Sequence, residues 1–419
     1  MHILFFTENF PPETNAAATR VFERAVLWVR MGHRVTVITS HPNFPQGRLH
    51  EGYDNRWRRI DEIEGIRVVR VKTFIAANKG AVLRILDFLS FMVTGSVAAL
   101  FEARPDVVAA TSPQFFSAVA GWAVGKMRRI PFVFELGDIW PASIAAVGMM
   151  KPSLAFRLIE RFELFLYRQS ASVAALTRAF KDNLVRRGIP PQKIAVVING
   201  VDLDRYAPAP KDVDYARSLD IDPTVFTIGY LGTHGMAHDL MNVVRAARLL
   251  QDRPDIQFLM VGDGAERPMI MEEAARLGLR NIVFRGPQPK AAMPKLWSLC
   301  DVALIHLKNA DTFREVIPSK IFEAMGMGLP QILVAPEGEA SAIMISNGAG
   351  LHVPAGDPQA LSDAARRLAD DRGFTARLAQ ASHQAAPRYS RQRQAEDMIK
   401  VLEFAAAGRG DQVGGIGCE

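Results

Sequence analysis

The chain of 419 residues is predicted to fold as an α/β protein with two domains, each built on a parallel β-sheet. Its length exceeds that of one ordinary domain and suits two. Short apolar runs alternate with helical stretches along most of the chain, which is typical of parallel sheets covered by helices on both faces. A polar segment that contains prolines, residues 204–223, interrupts this alternation, so we place the domain boundary between residues 205 and 206.

The first half of the chain supplies the elements of the first predicted domain. Strands are predicted at residues 2–6, 34–39, 66–71, 106–110, 132–135, 172–176 and 194–197. Helices are predicted at residues 17–30, 82–101, 117–126, 153–169 and 178–187. Residues 41–64 are predicted to form a long loop, and loops of that length are usually functional or mobile. Because ligands of parallel sheets bind beyond the carboxyl ends of the strands, the loops that leave strands, beginning with residues 7–19, are candidate binding segments.

The second half repeats the same alternation after the predicted boundary. Strands are predicted at residues 225–231, 257–261, 282–284, 302–306, 331–334 and 350–353. Two further helices are predicted at residues 360–369 and 392–406, and the second of these is amphipathic. The glycine-rich residues 408–419 are predicted to be disordered.

The composition is that of a globular protein, with 49% hydrophobic and 22% charged residues. The net charge of +6 and the isoelectric point near 9.4 predict a negatively charged partner, such as a nucleotide, a membrane surface or nucleic acid. The basic residues are spread along the chain, so we do not expect a nucleic-acid partner. The two cysteines, Cys300 and Cys418, imply no disulfide framework and suit a reducing cytoplasm; residues 1–6 are typical of a strand and not of a signal peptide.

The helix predicted at residues 82–101 is the most apolar in the chain. Arg84 and Asp87 interrupt it and leave about fourteen uninterrupted residues, too few to span a bilayer. The pattern favours a helix packed in the core. The alternative is a helix that rests on a membrane surface, which the basic net charge would assist.

The segment 313–331 carries the strongest indication of a binding site. Glu315 and Glu323 stand eight positions apart, with Pro318, Ser319 and Lys320 between them. Proline at a first helical position predicts a helix that begins at Pro318. A helix start with a lysine in its first turn suits a phosphorylated ligand, and the carboxylates could hold ligand hydroxyls. The alternative is an ordinary capped helix with two solvated glutamates.

Two glycine-containing turns leave the first two predicted strands of the second half. They are Gly232-Thr233-His234-Gly235 and Gly262-Asp263-Gly264, and both allow close approach of a backbone to a ligand. Neither matches the dinucleotide fingerprint or the P-loop, which argues against hydride transfer and ATP hydrolysis. The spacing of His, Cys and acidic residues predicts no metal site. In the first half, Asp138 follows the strand at 132–135 and is either a site residue or a turn cap.

These motifs resemble the retaining nucleotide-sugar glycosyltransferases of family 4, which have the GT-B fold. The resemblance rests on Glu315-x7-Glu323, Gly262-Asp263-Gly264 and Asn199-Gly200-Val201-Asp202. Further segments resemble the bacterial enzymes of O-antigen, capsule and exopolysaccharide assembly: Phe10-Pro11-Pro12-Glu13, Ala16-Ala17-x-Thr19-Arg20, Gly32-His33-x-Val35-Thr36-Val37, Asp138-Ile139-Trp140-Pro141-x-Ser143 and Pro318-Ser319-Lys320-Ile321-Phe322-Glu323.

The resemblance implies two Rossmann-like domains that face each other across a cleft. Residues 1–205 would form the acceptor-side domain, and residues 206–390 would bind the nucleotide-sugar. Residues 391–407 would form a helix that crosses back to the first domain, ahead of the disordered tail at 408–419.

Carried over residue by residue, the resemblance assigns roles to both glutamates. Glu323 would hold the ribose hydroxyls, and Glu315 would face the donor sugar near the reacting carbon. Other donor-binding residues would surround the pyrophosphate and the base, with Asn15 and Ala16 approaching the phosphates from the first domain. The remaining candidates are Ser319, Ile317, Val316, Gly232, Thr233, His234, Gly262, Gly264, Arg285 and Gln288.

Several departures from the family pattern affect the predicted site, including Asn15 in the first loop, where relatives often have glycine. Many members carry an Arg and a Lys after the glycine that corresponds to Gly232, where this chain has Thr233 and His238. We therefore expect Lys320 to be the main phosphate cation, with His234 second. Many members also have a histidine in the loop that holds Asp138, so Asp138 either takes over its catalytic role or shapes the cleft.

The resemblance predicts sugar transfer with retention and without a cofactor. The expected donor is a UDP-linked, N-acetylated sugar, and the expected acceptor is a saccharide on polyprenyl diphosphate at the inner face of the plasma membrane. The alternatives are a nucleotide-sugar 2-epimerase of the same fold and a nucleotide-sugar-binding protein without catalysis.

Overall fold

A computed structural model of the chain describes residues 1–44, 46–75, 81–112, 115–139 and 153–417. The chain divides into two compact units. The first comprises Met1–Asn199 together with Arg391–Glu419, and the second comprises Gly200–Ser390. Each unit contains a largely parallel sheet with helices, so the predicted fold class, α/β with two parallel-sheet domains, is confirmed.

The first unit is built on a sheet with the strand order β3-β4-β2-β1-β5-β6-β7-β8 within the described residues. The strands are β1 (His2–Phe6), β2 (Arg34–Ser40), β3 (Arg58–Ile63), β4 (Ile66–Val71), β5 (Val107–Thr111), β6 (Phe132–Leu136), β7 (Ser172–Ala175) and β8 (Ile194–Val196). The helices are α1 (Ala16–Arg30), α2 (Ala81–Leu100), α3 (Phe115–Arg128), α4 (Leu154–Gln169) and α5 (Arg178–Arg186). The antiparallel pairing of β3 with β4 is the exception among these parallel strands.

The second unit is built on a parallel sheet with the strand order β11-β10-β9-β12-β13-β14. The strands are β9 (Phe226–Leu231), β10 (Ile256–Val261), β11 (Ile282–Arg285), β12 (Val302–His306), β13 (Gln331–Val334) and β14 (Gly350–Val353). The helices are α6 (Val213–Ser218), α7 (Met241–Leu249), α8 (Arg267–Arg276), α9 (Met293–Trp297), α10 (Lys320–Gly326), α11 (Glu339–Ser346), α12 (Pro358–Asp370) and α13 (Arg372–Ala385). Because β10, β9 and β12 are neighbours, the loops that follow them leave the same edge of the sheet.

The last helix, α14 (Arg391–Ala406), packs beside α1 in the first unit. The indole N–H of Trp28 donates to the carbonyl of Ala395 at 3.1 Å, and Arg391 pairs with Glu23 at 3.0 Å. Buried apolar residues of α14 share one core cluster with β1 and α1: Met398, Val401 and Leu402.

Alternate residues of the central strand β1 serve two separate cores. Leu4 and Phe6 belong to the cluster that includes residues of α2 and α3. Ile3 and Phe5 belong to the cluster on the other face, with α1 and α14. This two-sided burial explains why the strand is a continuous apolar run rather than an alternating pattern.

The segment predicted as a long loop at residues 41–64 ends in the strand β3. β3 forms a hairpin with β4 through a tight turn at Glu64 and Gly65, whose φ angles are 51° and 75°. The strand has the charged sequence Arg-Arg-Ile-Asp-Glu-Ile and lies at the edge of the sheet. Ion pairs hold it there, because Arg58 pairs with Glu102 and Asp61 accepts from both Arg59 and Arg70. A buried-strand pattern could not detect it.

The tail predicted to be disordered at residues 408–419 is ordered as far as residue 417. Gly410–Gln412 forms a 3-10 turn, and Val413 is fully buried. The carbonyl of Ile416 accepts from Val196 N at 3.1 Å, and Ser172 Oγ donates to Gly410 O at 2.8 Å. The prediction of disorder was wrong because the segment pairs with the edge strand β8, a contact that composition does not reveal. Cys418 lies outside the described residues.

The second unit begins at Gly200, six residues before the predicted boundary at 205/206. The polar segment after it is structured rather than a free linker. Tyr206 is buried, its N–H donates to Asp202 O at 2.9 Å, and Asp212 caps α6.

Helix α2 is more exposed than the packed core helix that the sequence favours. Its window Leu83–Leu100 has a mean hydropathy of 1.6 and is 22% buried. By length and composition alone, it is the one helix in the described residues that could cross a membrane, and the core helix of a soluble protein passes the same test. The window includes Arg84 and Asp87, the two residues that interrupt the apolar run.

Candidate functional site

The two glycine-containing turns of the second unit lie side by side at the carboxyl ends of β9 and β10. His234 N donates to Asp263 O at 2.8 Å, which joins the turns directly. Gly262 N donates to Arg285 O at 3.1 Å, and Gly264 N is held by the Asp263 carboxylate at 2.8 Å. Hydrogen bonds within the protein therefore fix the shape of this edge.

Gly232 brings the first turn against Lys320. Its φ is +148°, and a Cβ at this position would lie 2.5 Å from Lys320 Cε and 2.7 Å from Lys320 Nζ. A side chain here would displace the lysine, so glycine is required for the lysine to cross the turn. Gly232 and Lys320, which were each predicted to bind the donor, thus lie close together within the second unit.

Helix α10 begins at Lys320, two residues later than the predicted start at Pro318. Ile321 N bonds to Pro318 O at 3.1 Å and Phe322 N bonds to Ser319 O at 3.0 Å, which is the pattern of a turn. The fixed φ of proline suits that turn as well as it suits a helix. The helix is seven residues long, and Ser319 makes no side-chain cap. The positive charge of Lys320 is therefore the firmer basis for an anion site.

The ring of Tyr230 lies at the centre of a basic cluster. Lys320 Nζ lies 5.2 Å from the ring centroid, and the rings of His234 and His238 lie at 5.8 Å and 6.0 Å. The Tyr230 hydroxyl donates to the carbonyl of Thr233 at 2.7 Å, while the Thr233 side chain points to solvent. We refer to Lys320, His234 and His238 as the basic cluster.

Burial controls the protonation of the basic cluster. It lowers the pKa of His234 to about 4, assisted by the charges of Arg267 and Lys320. It also lowers the pKa of His238 to about 4, again with Lys320 contributing. Both histidines are therefore neutral at neutral pH. Burial lowers the pKa of Lys320 as well, and the charge of Glu323 opposes that shift.

Lys320 lacks a fixed counter-ion in the part of the chain that the structure describes. No carboxylate there lies within 4.0 Å of its Nζ. His234 is fully buried, and neither of its ring nitrogens has a hydrogen-bond partner among the described residues. A partly buried cation beside a buried, unpartnered imidazole favours an incoming anion, because unpaired buried polar groups are costly.

The two glutamates of the motif occupy different settings. Glu315 ends the 3-10 turn Asp311–Glu315, before α10. Glu323 lies on α10, and its Oε2 accepts from the indole N–H of Trp297 at 3.1 Å. Both glutamates are partly exposed. The residues between them that were predicted to bind the donor are also partly exposed: Val316, Ile317 and Ser319.

Arg285 and Gln288 lie at the end of β11 and in the loop after it. The Arg285 guanidinium donates to the carbonyl of Leu219 and, at 3.2 Å, to that of Asp220. It therefore holds the chain that precedes β9. Gln288 is partly exposed.

Asn15 and Ala16 belong to the first unit and start helix α1. The side chain of Asn15 accepts from Ala18 N at 2.9 Å, which is an ordinary N-cap. Ala16 is the first residue of the helix. The cap fixes the direction of the predicted phosphate-approaching loop.

Asp138 lies at the carboxyl end of β6 in the first unit. Its backbone N–H and that of Gly137 donate to Ser112 Oγ at 3.2 Å and 2.9 Å. Burial raises the pKa of the Asp138 carboxyl to about 6, against the opposing charge of Arg20. The residues that complete its motif, Trp140, Pro141 and Ser143, lie outside the described residues.

The comparisons with known proteins decide the family. The glycosyl transferase 4-like domain family matches residues 15–200, and the glycosyl transferases group 1 family matches residues 222–371. The chain belongs to the glycosyltransferases, with a 4-like domain followed by a group 1 domain. Its two parallel sheets are those of the GT-B fold, so the resemblance predicted from the motifs is confirmed.

Relatives of this glycosyltransferase match it along most of its length. WcaI of Escherichia coli (strain K12), named as a colanic acid biosynthesis glycosyl transferase, is 27% identical over 344 residues, which cover 80% of this chain and 83% of WcaI. Among solved structures, HepE of Anabaena in complex with UDP and glucose superposes with a TM-score of 0.72 at 19% identity. The superposition covers 96% of this glycosyltransferase and 99% of HepE.

The epimerase fold is also related to this glycosyltransferase, but more weakly. A Listeria monocytogenes protein named as a UDP-N-acetylglucosamine 2-epimerase superposes with a TM-score of 0.61 at 14% identity, over 96% of each chain. The two family matches above, and not this shared fold, place the chain with the transferases.

Three features of this glycosyltransferase were not predicted from the sequence. Tyr230 is the last but one residue of β9 and reads as core, while Trp297 lies in an apolar run. In the first unit, Arg24 forms a bidentate pair with the buried carboxylate of Glu135 at 2.9 and 2.7 Å, beside Arg20. A glutamate in an apolar strand was the available signal, because a buried carboxylate requires a partner.

No group of three or more His, Cys, Asp or Glu in the described part of the glycosyltransferase is arranged to hold a metal ion. Cys300 is buried, and burial raises the pKa of its thiol to about 12.

Proposed function

We propose that this glycosyltransferase transfers a sugar from a nucleotide diphosphate donor to a saccharide carried on polyprenyl diphosphate, with retention. The product would enter a cell-surface polysaccharide such as O-antigen, capsule or exopolysaccharide. The observation that carries the proposal is the partly buried Lys320, which crosses the Gly232 turn without a carboxylate within 4.0 Å of its Nζ in the described residues and interacts with the charge of Glu323. The name of WcaI and the UDP and glucose held by HepE support this choice.

In the proposed donor complex, each group of the site meets one part of the ligand. The charge of Lys320 offsets part of the diphosphate charge, Glu323 binds the ribose hydroxyls, and Glu315 faces the sugar. As the sugar–phosphate bond breaks, negative charge grows on the diphosphate, and preorganised cations stabilise it. Positive charge grows on the sugar ring, where a carboxylate stabilises it. We favour front-face displacement, in which the leaving phosphate takes the proton of the acceptor hydroxyl.

The proposed function is tested with the full-length protein and a panel of nucleotide-sugars, headed by UDP-N-acetylated sugars. The protein is incubated with each donor and a polyprenyl-diphosphate-linked saccharide, and the products are analysed by mass spectrometry. The proposal requires free nucleoside diphosphate and an acceptor heavier by one sugar, with activity reduced in Glu315→Gln. A changed sugar on an intact nucleotide would instead establish epimerisation, and binding without any conversion would establish a non-catalytic protein.

The pH dependence of donor binding tests the role of His234. In the protein without a ligand, the pKa of His234 is about 4. A bound diphosphate would raise this pKa, because its negative charge stabilises the protonated imidazole. The complex then binds more protons than the free protein, so donor affinity should rise as the pH falls from about 8 to about 5.5. Above the raised pKa, His234 is neutral in both states and this contribution is absent.

The measurement uses UDP-glucose, whose diphosphate carries no group that titrates near neutral pH, and calorimetry at several pH values. His234→Asn should flatten the profile, while the matched control His383→Asn, at an exposed position in the same unit, should keep it. A profile unchanged by His234→Asn would show that the imidazole takes up no proton.

We also propose that the protein works at the cytoplasmic face of the plasma membrane and contacts it through the first unit. On α4, Leu154 and Leu158 are 74% and 55% exposed, and on α2, Val93 is 55% exposed. Exposed arginines flank the apolar stripe of α4 at positions 157, 161 and 168. An apolar face edged with arginine suits the surface of an anionic bilayer.

Aromatic contacts join α4 to the helices beside it. Phe162 meets Phe115 of α3 at 5.7 Å, and Phe165 meets Trp122 at 5.5 Å. Helix α3 packs against both α2 and α4, so the three helices form one layer of the first unit. The membrane contact would therefore involve both helices.

The membrane proposal predicts co-sedimentation with anionic liposomes at low salt and weaker co-sedimentation at high salt. Replacing both Leu154 and Leu158 with glutamate should abolish it, because the change removes apolar area and adds negative charge. Met269→Glu, at a residue 49% exposed in the second unit, serves as the matched control and should leave association intact. A wild-type protein that stays in the supernatant at low salt would refute the proposal.

A further inference from the structure

We propose that Trp297 is a positioning residue for the donor site, because it holds Glu323 in the orientation that binds the ribose. The inference rests on the proposed function, in which ribose is the ligand of Glu323. The buried Trp297 indole, and not the ligand, would determine the orientation of the Glu323 carboxylate.

The indole N–H of Trp297 is committed to Glu323. Trp297 is fully buried, and its Nε1 lies 3.1 Å from Glu323 Oε2. An indole has one donor and no acceptor, so this bond uses its whole hydrogen-bonding capacity. Within the described residues the indole is the one hydrogen-bond partner of the Glu323 side chain, so Oε1 remains available to a ligand.

Packing against strand β9 fixes the position of the Trp297 indole. A Cβ on Gly229 would lie 2.2 Å from Cys300 Sγ and 3.8 Å from Trp297 Cζ3. Glycine on this strand therefore lets the chain that follows α9 pack directly against the sheet. Cys300 N also donates to Trp297 O at 3.0 Å, and Cys300 Sγ to Leu296 O at 3.5 Å. The indole cannot turn away from α10 without disturbing this packing.

A held carboxylate binds a ribose better than a free one. A glutamate side chain loses rotamer freedom when it binds a ligand, and that loss reduces affinity. An indole that already fixes one oxygen removes part of this loss and leaves the other oxygen to accept from the ribose. Glu323 is partly exposed on α10, so without the indole it could point to solvent.

The test compares two ligands on the full-length protein by calorimetry, UDP and 2′,3′-dideoxy-UDP. The wild-type protein should prefer UDP, because only UDP has the ribose hydroxyls. Trp297→Phe should reduce that preference by about tenfold. Its affinity for the dideoxy ligand should stay unchanged. Trp122→Phe is the matched control in the first unit, since the Trp122 indole N–H has no partner among the described residues.

Each other outcome has a distinct meaning. If Glu323→Gln keeps the full preference for UDP, the ribose assignment of the proposed function fails. If Glu323→Gln loses the preference but Trp297→Phe keeps it, the positioning role fails. If Trp297→Phe lost affinity equally for UDP and for 2′,3′-dideoxy-UDP, Trp297 would have a structural role only, and the positioning role would be wrong. If that variant does not fold, benzothienylalanine at position 297 keeps the ring shape without the donor, and the same preference is measured.

Discussion

Replacing Lys320 with alanine is expected to weaken UDP binding about 10- to 150-fold, the equivalent of about 1.5–3 kcal/mol for a charge-assisted hydrogen bond. The reason is that the positive charge of Lys320 lies across the Gly232 turn without a carboxylate within 4.0 Å among the described residues. The histidines beside it, His234 and His238, are neutral at neutral pH and do not replace its charge.

Two control variants test whether the loss of UDP affinity is specific to Lys320. Thr233→Ala should change UDP affinity much less, because the Thr233 side chain is exposed to solvent. Lys295→Ala removes a cation of the same unit that is already paired with Asp212 at 2.8 Å, and it should also have little effect. Calorimetry with UDP measures all three variants. UDP affinity equal to wild type in Lys320→Ala would locate the phosphate cation elsewhere.

The predictable parts of the fold were those in which a local pattern reflects burial. β1 and β9 are buried on both faces, so their apolar runs are visible in the sequence. β3 is an edge strand held by ion pairs, and the tail at 408–417 pairs with β8 through its backbone. Both depend on partners distant in the sequence, which explains why the local pattern was misleading.

In the candidate site, too, the features with a local sequence pattern were predicted, and the contacts between distant residues were not. Its turns and its two glutamates follow from spacing, because parallel strands bring their carboxyl ends to one edge. The contact of Lys320 with Gly232 was expected only as a shared location, and its geometry needed the structure. The commitment of Trp297 to Glu323 had no local signal, since a tryptophan in an apolar run is typical of a core.

Glu323→Gln is expected to reduce donor affinity, whereas Glu315→Gln is expected to reduce turnover. Glu323 is assigned to the ribose, a part of the donor that does not react. Its loss should cost about 1.5–3 kcal/mol of binding, or about 10- to 150-fold in affinity, for UDP and full donor alike. Uniform binding of this kind leaves the chemical step unchanged.

Glu315 is assigned to the donor sugar near the reacting carbon, which UDP lacks. Its loss should leave UDP affinity nearly intact and should lower turnover, because the interaction strengthens as charge develops on the sugar. Glu315 lies at the end of the 3-10 turn before α10, whereas Glu323 lies on α10 and accepts the hydrogen bond of Trp297. The two glutamates therefore belong to different structural elements.

The most direct test of this account is one paired measurement on Glu315→Gln and Glu323→Gln: UDP affinity by calorimetry and turnover with the donor that the screen identifies. We expect Glu323→Gln to lose UDP affinity and Glu315→Gln to lose turnover while still binding UDP. Equal loss of UDP affinity in both variants, with turnover retained in both, would contradict the assignment of the two glutamates to different parts of the donor.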